Sequence, residues 1–92
     1  MHVISKAALR DAIRKDRTLD GPLSEWHKVA TNADWSSLVD VRKVYPAADF
    51  VDPYTVFNIK GGAYRLIVKI EYRWQMVFVK HVLTHAEYDR GG

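Results

Sequence analysis

Hydrophobic residues recur at two different periods along this chain, and the change falls near residue 54. In "KAALRDAIRK" the apolar residues Ala8, Leu9, Ala12 and Ile13 are spaced three and four apart, the signature of one helical face. This predicts a helix capped by Ser5 and running to about Arg17. Its other side carries Lys6, Arg10 and Arg14 at successive i+4 positions, where like charges repel. Asp11, four residues before Lys15, eases that repulsion, so the side reads first as a solvated face and second as a ridge for RNA. A second helix is expected from "LDGPLSEWHKVATNAD": Asp20 and Gly21 mark the boundary and Pro22 suits a first helical turn. Leu23, Trp26, His27 and Ala30 share one face there, with His27 at the edge of the core. "SSLVDVRKVYP" is read as a short helix started by Ser37 and Asp40 and stopped by Pro46. "AADFVDPY" is read as a loop that turns at Asp52-Pro53.

Beyond that point the period drops to two. "YTVFNI", "AYRLIVKIEY" and "QMVFVKHVL" are rich in β-branched and aromatic residues and are separated by short breaks at "KGG" and "RW". They predict an antiparallel meander, with Gly61-Gly62 supplying the positive φ of a two-residue hairpin turn. The short "HVI" start adds an edge strand. In the middle strand Tyr64, Leu66, Val68, Ile70 and Tyr72 alternate with Arg65, Ile67, Lys69, Glu71 and Arg73. One side is apolar and the other mostly charged. The expected architecture is therefore a two-layer α+β fold of order β-α-α-β-β-β, with the N-terminal helices packed on the apolar side of an antiparallel sheet. The opposite side is left to solvent, as an ordinary polar surface or as a cationic one for a polyanion.

Charge sharpens that picture. Residues 1–53 hold eight basic and eight acidic side chains, whereas residues 54–92 hold six basic and three acidic, so the net +3 resides in the sheet-forming part. Such one-sided charge suits a polyanionic partner. The 92 residues are expected to form one domain. The absence of cysteine excludes a disulfide framework and thiolate metal sites. The N-terminus lacks the apolar core of a signal peptide, and no run approaches the roughly 20 apolar residues that span a bilayer. A cytoplasmic protein without a membrane partner is expected.

The last ten residues, "LTHAEYDRGG", hold a T-x-x-E capping box at Thr84 and Glu87. A helix so short cannot repay its nucleation cost alone, so it must dock on the rest of the protein. Its single turn places His85, Tyr88 and Asp89 on one face. The alternatives for this turn are side chains aimed at a phosphate, or a tyrosine packed on the sheet with His85 and Asp89 bonded to each other. Zinc is disfavoured, because His81 falls in a strand and His85 beyond its end. No nucleophile elbow surrounds Ser36 or Ser37, and "KGG" lacks the phosphate-loop pattern.

Metal-free RNA cleavage needs less equipment. The substrate's own 2′-OH attacks, and the protein must position the backbone, take one proton, give one, and stabilise the phosphorane. Arginine matches two phosphate oxygens and keeps its charge. Histidine exchanges protons near neutrality without special tuning, which singles out His85. Tyr88 or Lys69 can serve if surrounding cations ease loss of the proton. The capped N-terminus at Thr84 is expected to add free N–H groups facing the same place. Arg65 and Lys69 start about 13 Å apart at roughly 3.3 Å per residue, so adjacent phosphates suit them as well as a shared one.

The stretch "VFNIKGGAYRLIVKIEYRWQMVFVKHVLTHAEYD" resembles the C-terminal half of HigB-type toxins, the mRNA interferases of type II toxin–antitoxin modules within the RelE-like group. The resemblance rests on Phe57-Asn58, Gly61, Tyr64-Arg65-Leu66, Thr84-His85 and Tyr88-Asp89, and it extends more thinly over the remaining chain. One departure is Gly61-Gly62 where a G-N pair is common. The resemblance implies a small RelE-like toxin domain that cuts mRNA, usually in the ribosomal A site, and uses no cofactor. It also implies a HigA-type helix-turn-helix antitoxin, with DNA contacted only through the toxin–antitoxin complex. Arg65, His85 and Tyr88 match the family's active site. Lys69 joins them from the reading of the middle strand, and Asn58, Lys60, Arg73 and Lys80 are expected to hold RNA. A translation inhibitor that binds RNA or the ribosome without cutting, and an inert interaction domain, are the competing readings.

Overall fold

Apolar helical stripes from the N-terminal half meet the inward side of a sheet built mostly from the C-terminal half. The computed structural model describes every residue except Ser5 and Gly92, so the expected Ser5 cap lies outside the described residues. In chain order the elements are β1 (His2–Ile4), α1 (Lys6–Lys15), α2 (Asp20–Asn32), α3 (Leu38–Val44), β2 (Asp49–Val51), β3 (Tyr54–Ile59), β4 (Tyr64–Glu71), β5 (Met76–Thr84) and α4 (His85–Gly91). The strands form one five-stranded sheet in the order β1-β5-β4-β3-β2.

The meander is present, and "HVI" is the edge strand expected of it. That edge strand pairs with β5 in parallel, His2 with Met76 and Ile4 with Phe78, so the sheet is mixed where an antiparallel one was expected. A parallel partner requires a crossover, and the helical part of the chain supplies it. The other edge, β2, replaces the predicted loop. Its three residues are all exposed, and a strand that short leaves no alternation to detect.

Each helix shows its stripe. Leu9 of α1 and Leu23, Trp26 and Ala30 of α2 are buried with Phe57, Leu66, Val68 and Val77 of the sheet in one core. Phe57 is its centre: Trp26 meets it edge-on at 5.6 Å, Tyr45 edge-on at 5.2 Å, and Trp35 stacks at 6.4 Å between ring centroids. Such pairs add roughly 0.5–1.5 kcal/mol each beyond area burial.

Three local expectations are revised. Helix α1 stops at Lys15 rather than about Arg17, because Asp16 is extended and its carboxylate accepts from the Thr18 N–H, starting a separate 3-10 turn. Asp11 pairs with Arg14 at 3.6 Å, three residues on, instead of Lys15. The Ser37 hydroxyl makes no cap bond to α3; Asp40 instead accepts from the Ser36 N–H and hydroxyl. The short helix itself ends at Val44, ahead of Pro46, as the sequence predicts.

Candidate active site

The outward side of the sheet is built by register. Across β3, β4 and β5, Asn58 faces Arg65, which faces Leu83; Val56 faces Ile67, which faces His81; and Lys69 faces Phe78. Partnered residues share a face, so these side chains form one surface opposite the core. Val56 and Ile67 are only 4% and 9% exposed, and they form an apolar floor beneath the longer side chains around them.

Helix α4 folds back over one corner of this surface. The capping box forms as the T-x-x-E spacing requires: the Thr84 N–H donates to Glu87 Oε1 at 2.8 Å, and the Glu87 N–H donates to Thr84 Oγ1 at 3.1 Å. The His85 N–H donates to the Ala63 carbonyl at 2.9 Å, tying the start of the helix to the β3–β4 turn. These bonds consume N–H groups that the sequence reading left free for a phosphate, so the helix end orients side chains and does not serve as an open anion site. The bond from the Thr84 N–H, the largest cause, holds the Glu87 carboxyl below its ordinary value.

The result brings two separated parts of the sequence together. Arg65 Cζ lies 5.8 Å from the centroid of the Tyr88 ring, within cation–π range. The Arg65 guanidinium is aimed by its own turn, since Nη1 donates to the Gly62 carbonyl at 2.6 Å. His85 Nδ1 stands 3.1 Å from Asp89 Oδ2 on the same face of α4, which leaves Nε2 as the nitrogen available for proton exchange. Packing and pairing thus coexist with aiming. Tyr88 meets an arginine while His85 and Asp89 contact each other.

The β3–β4 turn differs from a two-residue hairpin. Ile59 and Tyr64 are the closing pair, so four residues make the loop, and Lys60, Gly61 and Gly62 all have positive φ, at 54°, 65° and 94°. Glycine takes these angles without the cost that a Cβ brings, and Lys60 takes one as well. That geometry sends Lys60 toward the helical layer, where Nζ lies 3.8 Å from Asp16 Oδ2 and contacts the Thr18 hydroxyl.

The remaining expected residues divide. Lys69 lies on the face with Arg65, and its Nζ pairs with Glu71 Oε1 at 3.3 Å. Asn58 lies beside Arg65 and is exposed. Lys80 is exposed on β5, its Nζ 5.6 Å from the Phe78 ring. Arg73 is not on the face: β4 ends at Glu71, and Arg73 sits in the following 3-10 turn, its guanidinium 5.1 Å from the Trp74 ring. Among the described residues no group of three or more His, Cys, Asp or Glu could hold a metal ion.

Asp16 was not expected to matter. Its carboxylate accepts from the Tyr64 hydroxyl at 2.8 Å and from Thr18, and so anchors the first residue of β4 to the end of α1. The Thr18 hydroxyl chiefly, and Tyr64 next, hold its carboxyl at about 2. The only local signal was D-x-T before a short break.

Comparison with known proteins finds relatives by sequence along almost the whole chain. Residues 20–91 match HigB_toxin, a RelE-like toxic component of a toxin-antitoxin system. The chain is 31% identical over 93 residues to the mRNA interferase HigB of Escherichia coli O6:H1, covering 98% of this chain and 90% of that protein. It is 27% identical over 92 residues to the mRNA interferase toxin HigB of Escherichia coli K12, covering 97% and 88%. The mRNA interferase HigB of Shigella flexneri matches to the same extent.

Proposed function

The chain belongs to the HigB toxin family, the RelE-like toxic components of toxin–antitoxin systems, and from that premise we propose that it is an endoribonuclease that halts translation by cutting mRNA. The observation that carries the reading is the approach of Tyr88 to Arg65, 5.8 Å from ring centroid to Cζ, which sets the C-terminal turn over the cationic side of β4.

The reaction needs no nucleophile from the protein. The 2′-oxygen attacks phosphorus and the bond to the 5′-oxygen breaks, one proton leaving the 2′-OH and one joining the departing oxygen. Arg65 stabilises the charge on the phosphorane, with the Gly62 carbonyl steadying its guanidinium. His85, through Nε2, and Tyr88 divide the two proton transfers. Lys69 holds an adjacent phosphate, exchanging its contact with Glu71 for one with RNA. Asn58 and Lys80 flank the path. Lys60 and Arg73 contribute less, because the first is engaged by Asp16 and the second lies beyond the strand end.

Residues 1–92 act as one toxin domain in the cytoplasm, on mRNA presented in the ribosomal A site. A HigA-type helix-turn-helix antitoxin neutralises it, and DNA is met only through that complex. No helix among the described residues is long and apolar enough to cross a membrane, which suits this setting. The test is induced expression of wild type and Arg65→Ala with mapping of mRNA 5′ ends. New ends with the wild type only support cleavage. Growth arrest with intact transcripts would point to an inhibitor acting by occupancy.

A further inference from the structure

The outward side of β5 carries an aromatic row that the assignments above leave unused. The β4–β5 register runs in step from Glu71 and Met76 to Val68 and Val79, and again from Ile67 and His81 to Tyr64 and Thr84. Lys80 is therefore an extra residue, and the strand bulges there. Strict alternation from Val77 and Val79, which are both buried in the core, would carry residue 81 inward. The bulge sends it outward instead: Lys80 and His81 are both exposed, and Val82 packs against the core. Bulges commonly re-aim a side chain beside a functional site.

The position that His81 gains is specific. It faces Ile67, whose neighbours on the same side of β4 are Arg65 and Lys69. Its immediate surroundings are the apolar floor of Ile67 and Val56, with a cation at either end. Phe78, facing Lys69, is the next ring along β5 and already carries the Lys80 ammonium at 5.6 Å. A cationic row one strand away from an aromatic row is how proteins grip single-stranded nucleic acid: cations follow the phosphates and rings take the bases.

We propose that His81 is a substrate-binding residue whose imidazole ring stacks on a base of single-stranded mRNA while Arg65 and Lys69 hold the neighbouring phosphates. This rests on the reading of the outward face as the mRNA site. The bulge is then the device that converts a would-be core position into a base platform, and the role of His81 is in its planar ring and not in proton transfer.

The test uses the full chain and a short single-stranded RNA carrying 2′-O-methyl groups throughout, which binds but cannot be cut. Cleavage of the unmodified RNA, or of ribosome-bound mRNA, is followed in parallel. His81→Ala is expected to weaken binding roughly tenfold, as loss of one stacked base does, and to raise KM with kcat nearly unchanged. His81→Phe is expected to restore both, and thermal melts should place both variants with the wild type. Unaltered binding by His81→Ala overturns the proposal, as does a His81→Phe variant as damaged as the alanine one, or a wild type that does not bind the oligomer at low salt. A wild type that binds with this pattern but leaves all mRNA intact would overturn the cleavage reading and leave the base platform standing.

Discussion

The two sides of β4 are made by alternate residues of one strand, yet they are organised oppositely. On the inward side Leu66 and Val68 are fully buried against α1 and α2, in a core whose rings close on Phe57. On the outward side Arg65 and Lys69 rise from an apolar floor, and the helix that folds over it is the seven residues of α4. The inward side is held mainly by many apolar contacts, with the bond from the Tyr64 hydroxyl to Asp16 at its edge. The outward side is held by a few identifiable bonds: Thr84 with Glu87, His85 with Ala63, Arg65 with Gly62. Damage to the first should therefore appear as lost stability, and damage to the second as lost activity in a folded protein.

The sharpest way to draw that contrast begins in the core. Phe57→Ala removes the ring that Trp26, Trp35 and Tyr45 share and is expected to cost about 3–5 kcal/mol in denaturant unfolding. That is a large share of the roughly 5–15 kcal/mol that stabilises a typical domain. Arg65→Ala, on the outward side one residue before the fully buried Leu66, should do the reverse. Cleavage is expected to fall about 10²–10³-fold, the usual effect of deleting a transition-state donor, with the unfolding midpoint nearly unmoved. A comparable loss of stability would show that the outward side is structural.

A smaller effect is expected at the hinge between strand and helix. Thr84→Ala removes the acceptor for the Glu87 N–H and should cost about 1 kcal/mol. The loss should be local, seen as faster amide exchange in α4 and weaker cleavage, while exchange in β3 and β4 stays slow. Uniform acceleration across the sheet would mean that α4 supports the core as well.

The smallest effect should come from acid. Asp16 has a folded-state value of about 2 against an ordinary 3.8, set chiefly by the Thr18 hydroxyl and then by Tyr64. Its folded value is the lower one, so its contribution is complete above the ordinary value and disappears as pH falls from about 4 to about 2. Glu87 shifts in the same direction through the Thr84 N–H, and its contribution has the same sign, lost as pH falls below its own ordinary value. Melting temperature should therefore decline over that range, and Asp16→Asn should flatten the decline. An unchanged slope in that variant would remove Asp16 as the anchor between α1 and β4.

Most of the fold was legible because its signals are local. The apolar stripes of α1 and α2, the alternation in β4, and the T-x-x-E cap all depend on spacings of two to four residues, which backbone geometry converts directly into faces and caps. The site was legible in part: Arg65, Lys69, His85 and Tyr88 carry suitable chemistry, and the positions of Arg65 and Lys69 on one side of β4 follow from alternation alone. What escaped were features without a local pattern. Strand β2 is too short to alternate, and Arg73 leaves the face because β4 ends two residues before it. Lys60 turns away because a four-residue loop at positive φ sends it toward Asp16, forty-odd positions earlier in the chain.

The amino-acid order by itself determined which residues would face inward, where the helices and most strands would lie, and that a terminal turn would be capped. Periodicity and capping are short-range, and they operate wherever the chain places them. Only the tertiary structure decided that the terminal turn would lie over Arg65, that β1 would run parallel to β5, and that a single extra residue would carry His81 out of the core. Those outcomes depend on contacts between distant segments, such as the His85 N–H on the Ala63 carbonyl, and such contacts exist only after the sheet has closed.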